Sequence, residues 1–143
     1  MSSLKSQLPS QFSFHCDIAL RITDLNYGGH VGNDRIMALL QEARVQFLAQ
    51  KGYSELELEG SGMMLTKAQF ELRCELYYGY PLRASVSAGN FTSKGFDLFY
   101  KLETTVNGEQ KVAALAITTM VCYDYEKKKV VPIAEKAVQR LAS

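Results

Sequence analysis

Polar and apolar residues alternate along residues 12–22. Phe12, Phe14, Cys16, Ile18, Leu20 and Ile22 interleave with Ser13, His15, Asp17, Arg21 and Thr23. A period of two predicts a half-buried strand. The period then changes. Ile36, Leu39, Leu40, Ala43 and Phe47 recur at helical spacing, widened by Met37 and Leu48, with Val45 on the far side. This predicts one long amphipathic helix, with Asn33 as its N-cap, Asp34 in its first turn and Gly52 at its end. An acidic connector follows to residue 62. Alternation returns in a second strand, with Ala68, Phe70, Leu72, Cys74 and Leu76 inward and Lys67, Gln69, Glu71, Arg73 and Glu75 outward.

Leu82, Ala84, Val86 and Ala88 mark a third strand, and Phe96, Leu98, Tyr100, Leu102 and Val106 a fourth. Asn107-Gly108 between two apolar runs is a strong signal for a type I′ hairpin turn. The fifth strand, residues 112–123, is apolar on both faces and is expected at the centre of the sheet, covered on both sides. Pro132 can open a short final helix with Ile133, Ala137, Val138 and Leu141 inward. The pattern predicts an α+β arrangement, a curved antiparallel five-stranded sheet wrapped around one long helix, with an edge left for a second subunit. One domain over residues 11–142 is expected, preceded by a loose lead-in over residues 1–10.

Composition narrows the function classes. The chain has 143 residues, 47% of them hydrophobic, enough for a single core. A net charge of +1 argues against nucleic acid as a partner. No run reaches the length of a membrane span, and the N-terminus has no apolar signal core, so a cytoplasmic protein with no membrane association is the expectation. Cys16, Cys74 and Cys122 fall at apolar strand positions with no metal-ligand spacing. They read as small buried hydrophobes in a reducing compartment. With only two histidines, far apart, no metal site and no cofactor is expected. Gly-x-Ser-x-Gly, phosphate-loop and dinucleotide patterns are absent.

The candidate chemistry gathers in residues 24–44, where a glycine-rich polar loop feeds the long helix. The first N–H groups of a helix lack intrahelical partners and face a positive dipole end. Asp24-Leu25-Asn26-Tyr27-Gly28-Gly29-His30-Val31-Gly32-Asn33, followed by Glu42-Ala43-Arg44, resembles the signature of the hotdog-fold acyl thioesterases, the 4-hydroxybenzoyl-CoA thioesterase group and the plant acyl-carrier-protein thioesterases. The pattern there is Asp-x-Asp-x-x-Gly-His-Val-x-Asn with Glu-Ala-Arg two helical turns later. The resemblance spans residues from about 12 to 141.

It implies hydrolysis of an acyl-CoA or acyl-carrier-protein thioester by a homodimer or homotetramer, with the pocket at a subunit interface. It also places the oxyanion donor at Asn33. Gly28, Gly29 and Gly32 would let backbone approach the acyl group, and Lys94, on the turn after the third strand, would meet coenzyme A. In one respect the sequence departs from the pattern: Asn26 stands where the catalytic carboxylate is usual, and an amide cannot act as a base, although it can orient a water or hydrogen-bond the carbonyl. The base is then His30, Asp24 or Glu42. Two other readings stand beside this one: a non-catalytic acyl-CoA-binding protein that has lost hydrolysis, and a hotdog dehydratase.

Overall fold

The computed structural model describes residues 3–143. In chain order they form α1 (Leu4–Gln7), β1 (Phe14–Asp17), a 3-10 turn (Ile22–Asp24), α2 (Asn33–Gln50), β2 (Gly62–Leu72), β3 (Arg83–Gly89), β4 (Gly95–Val106), β5 (Glu109–Asp124), β6 (Lys129–Val130) and α3 (Glu135–Ala142). The sheet is antiparallel with strand order β1-β3-β4-β5-β2, and the two-residue β6 adds to β5. No helix among the described residues is long and apolar enough to cross a membrane.

Helix α2 lies against one face of this sheet. Ile36, Leu39, Leu40, Ala43, Phe47 and Leu48 point inward from it, and Val45 is exposed as its spacing predicts. Their counterparts on the sheet are Ala84 and Val86 of β3, Leu98, Tyr100 and Leu102 of β4, and Ala114, Ala116 and Met120 of β5. Burying a large aliphatic side chain contributes about 1.5–3 kcal/mol, so this layer dominates the stability. Asn107 and Gly108 both have positive φ, as a type I′ turn requires.

The opposite face of the sheet is covered too. Leu115 and Ile117 of β5 and Phe99 of β4 are buried there beneath Leu4, with Leu8 and Phe12 against them. The segment expected to be a loose lead-in is therefore a strap on the outer face. It supplies the second covering that β5, apolar on both sides, demands.

Two strands differ from the sequence reading. β1 stops at Asp17, because it pairs only with β3, whose ladder ends at the Asp17–Arg83 register. Ile18 still donates its N–H to the Leu82 carbonyl, and Ile18 and Leu20 stay buried, but Ile22 is 67% exposed. β2 starts at Gly62 and ends at Leu72, well short of Leu76. Its row of Ala68, Phe70 and Leu72 pairs with Thr118, Ala116 and Ala114, on the helix-side face, yet it is exposed. β2 is the edge strand, and α2 does not reach over it. The final helix opens at Glu135 rather than at Pro132, with Ala137 and Leu141 buried against the core.

Candidate functional site

Residues 24–33 form a loop held almost entirely by its own hydrogen bonds. Asp24 Oδ2 accepts the Arg21 N–H (2.8 Å), which closes the 3-10 turn, and the Asp24 carbonyl accepts the Gly32 N–H (3.2 Å), which ties the two ends together. Asn26 organises the tip. Its N–H donates to the His30 carbonyl (2.8 Å), its carbonyl accepts from Gly29, and its Oδ1 accepts the Gly28 N–H (2.8 Å). Gly29 has a φ of +84°, which the turn requires and glycine adopts freely. The Val31 N–H then donates to the Leu76 carbonyl (2.8 Å), stitching the loop to the segment that follows β2.

The helix cap differs from expectation. Gly32, with φ −71° and ψ 146°, is the N-cap, and Asn33 is the first helical residue. A side chain at Gly32 would bring its Cβ within 2.4 Å of Asp34 Oδ1. The physical consequence is an end that no side chain caps. The N–H groups at Asn33 and Asp34 stay free for a negatively charged or polarised oxygen.

The catalytic candidates fall into two clefts, one on either flank of the loop. The first, about 430 Å³, opens beside the edge strand β2. Asn26, His30 and Asn33 line it, with Arg73 and Glu75 opposite and Val31, Ile36, Leu72 and Leu76 as apolar walls. The second, about 360 Å³, lies on the β1 side and contains Asp24 and Glu42 with Asp17, Arg21 and Gln46. Glu42 accepts a hydrogen bond from Gln46 (2.8 Å), and Asp24 is engaged in its own turn. Glu42 pairs with neither Arg35 nor Arg44. Arg44 turns inward and donates to Glu55 Oε2 (2.9 Å) and to the Tyr100 hydroxyl (3.0 Å).

Gly28 and Gly29 are exposed at the loop tip. Lys94 lies in neither cleft. It sits on the β3–β4 turn, its carbonyl accepting the Cys122 N–H, at the end of the sheet opposite the loop. A seven-residue strand separates the two ends, roughly 20 Å at the usual rise.

Within the first cleft His30 is held on two sides. Its Nδ1 lies 3.2 Å from the Val31 carbonyl, and its ring meets Tyr77 edge to face. Its Nε2 points to Glu75 Oε1, 3.9 Å away, and the Tyr77 hydroxyl donates to the other carboxylate oxygen of Glu75 (2.5 Å). That hydrogen bond to a carboxylate raises the Tyr77 hydroxyl above its ordinary pKa. Alternation along 67–76 places Arg73 and Glu75 on the outward side of a strand. The strand ends at Leu72, and Arg73 and Cys74 both donate N–H to the Ala113 carbonyl as the chain turns away. From there alternation no longer reports direction. The aromatic turn that follows, Tyr77 to Tyr80, is the signal that the strand had to stop early. Among the described residues no group of three or more histidine, cysteine or acidic side chains is arranged to hold a metal ion.

Comparison with known proteins gives a consistent result. The profile of the Thioesterase-like superfamily matches residues 20–141. No curated protein matched the sequence. Among solved structures, a 1,4-dihydroxy-2-naphthoyl-CoA thioesterase from Synechocystis superposes with a TM-score of 0.78 at 17% identity, over 90% of this chain and 94% of that one. The 4-hydroxybenzoyl-CoA thioesterase from Pseudomonas sp. strain CBS-3 gives 0.80 at 14% identity, over 91% and 99%. A gentisyl-coenzyme A thioesterase gives 0.76 at 18% identity, over 90% and 100%. The helix-wrapping sheet is thus the hotdog fold, and the chain belongs to the thioesterase-like superfamily.

Proposed function

We propose that the protein hydrolyses an acyl-CoA thioester, or an acyl-carrier-protein thioester of the same chemistry, to a free acid and a thiol. One observation carries the reading: an uncapped helix N-terminus and an imidazole whose Nδ1 meets the Val31 carbonyl line the same cleft. Thioester hydrolysis needs a place for the developing oxyanion and a group that accepts a proton from water. The first N–H groups of α2, at Asn33, answer the first need. His30 answers the second: with Nδ1–H donated to Val31, Nε2 is the free acceptor. Asn26 shapes the loop through its bond to Gly28, while Asp24 and Glu42 face the other cleft. The similar structures that act on aryl-CoA thioesters support coenzyme A as the thiol.

The working unit in this proposal is a homodimer, or a homotetramer built from such dimers. The first cleft opens at the unpaired edge of β2, where Phe70 (37%) and Leu72 (50%) are exposed on the helix-side face. A second copy pairing along this edge would cover them and wall the cleft. Antiparallel edge pairing sets the far end of one sheet beside the loop end of the other, which gives Lys94 a route to coenzyme A across the interface. Three free cysteines fit a reducing compartment such as the cytoplasm.

A panel of aliphatic and aromatic acyl-CoA substrates, followed by release of free thiol, tests the reading. Turnover of at least one is expected, and His30→Gln should lower kcat by about 10²–10⁴-fold, the usual contribution of a general base. Saturable binding of several acyl-CoAs with no thiol release from them or from acyl-carrier protein would instead establish the non-catalytic binder.

A further inference from the structure

The hydrolase reading leaves a gap at Asn26, where a carboxylate is usual in the family pattern. Its side-chain oxygen accepts the Gly28 N–H, and a neutral amide brings no negative charge to that role. The cleft does contain a carboxylate, supplied from the opposite wall by a segment that the loop motif does not include. Resting on that reading, we infer that Glu75 replaces the missing carboxylate and, with His30, holds the water that attacks the thioester.

With Nδ1–H of His30 committed to the Val31 carbonyl, the neutral imidazole presents its lone pair at Nε2. The atom it faces, Glu75 Oε1, is also an acceptor, and the two are 3.9 Å apart. Two acceptors at that separation repel unless a donor lies between them. A water molecule donating one hydrogen to each, through bonds of about 2.8 Å, spans roughly 4 Å. Its lone pairs then point away from both groups.

Glu75 is held for this task. The Tyr77 hydroxyl binds Oε2 and leaves Oε1 directed at His30. Arg73, the cation nearest in sequence, is engaged by Glu71 through Nε (2.7 Å) and Nη2 (2.6 Å) and does not neutralise Glu75. The exposure of Glu75 is no obstacle, since a cleft open to solvent is where the water must come from.

The step balances without a co-reactant. The water oxygen bonds to the thioester carbon, and one of its protons passes to His30 Nε2. The carbonyl electron pair moves to oxygen, beside the α2 N–H groups. The carbonyl then re-forms, the C–S bond breaks, and the leaving thiolate takes the proton back from Nε2. The second hydrogen of the water, held by Glu75, leaves with the carboxylic acid. Glu75 stays ionised throughout.

The test is steady-state kinetics on the acyl-CoA that the wild-type protein hydrolyses best. Glu75→Gln keeps the size of the side chain and its contact with Tyr77 while removing the charge. Its kcat is expected to fall by about 10²-fold with KM changed less than about threefold. Glu75→Asp should recover part of the loss. The double variant Glu75→Gln with His30→Gln should be no slower than the slower single variant, because two groups that hold one water fail together.

An active wild type whose Glu75→Gln variant keeps kcat within threefold, loses activity only through KM, or combines multiplicatively with His30→Gln overturns the assignment and leaves the hydrolase reading standing. A wild type that releases no thiol from any substrate overturns both. Thermal unfolding of each variant within a few degrees of wild type shows that the losses are not losses of fold.

Discussion

Arg44 is the one charged side chain among the described residues that is buried outright, with 4% of its surface exposed. A guanidinium in a core needs partners on every side. Glu55 provides the charge, and Tyr100 provides an acceptor while sharing a second bond with Thr118 (2.7 Å). Burial raises the Tyr100 hydroxyl above its ordinary pKa, so it keeps its proton and can accept from Arg44 while donating to Thr118. Tyr100→Phe leaves one donor of a buried cation unmatched, and should lower the urea-unfolding free energy by about 1–3 kcal/mol. Arg44 also marks a limit of motif reading. Glu-Ala-Arg reads as one unit, but residues two apart on a helix point in nearly opposite directions. Glu42 therefore faces the second cleft while Arg44 enters the core. The motif located the loop and the helix end, but it could not show that Asn26 Oδ1 closes the turn at Gly28. Nor could it bring in Glu75, which arrives by tertiary contact from 45 positions further along the chain.

Among the elements, β5 and α2 were the most legible, because their apolar patterns are long and each can be satisfied by only one environment. The row on β2 was read correctly for side but not for cover. Alternation reports which face a residue occupies, and whether anything lies over that face depends on the reach of a helix elsewhere in the chain. β1 shows the same limit along its length: the pattern runs on to Ile22, but the partner strand does not. Where β4 begins, the chain passes so close to β5 that a Cβ on Gly95 would sit 2.1 Å from the Met120 carbonyl oxygen. Backbone cannot yield there as a flexible side chain can. Gly95→Ala should destabilise the protein by more than about 2 kcal/mol, read as a lowered midpoint in chemical denaturation, because the first ladder pairs of two central strands must separate.

The whole molecule is asymmetric in how it finishes its sheet. The β1 edge is short, while the β2 edge is eleven residues long and carries exposed Ala68, Phe70 and Leu72. A long apolar edge left open is an aggregation hazard unless a specific partner closes it. In the dimer proposed above, Phe70→Glu should shift the protein to monomer in sedimentation velocity and lower thioesterase activity in parallel. A variant that stays dimeric, or a monomer that keeps full activity, would separate the cleft from the interface.

The strap formed by the first residues ties the fold to the order of synthesis. Leu4 is made about a hundred positions before Phe99, Leu115 and Ile117, the residues it packs on. At ~5–20 residues per second the delay is about 5–20 seconds. β1 waits in the same way for β3, as the His15–Ser85 bond across 70 positions shows. The apolar face of α2 waits for β4 and β5. Through most of translation the nascent chain therefore displays Phe12, Phe14, Phe47 and Leu48 with no surface to receive them. The sheet closes only once β4 and β5 have been made, and the residues before them are the stretch a chaperone would have to shelter until then.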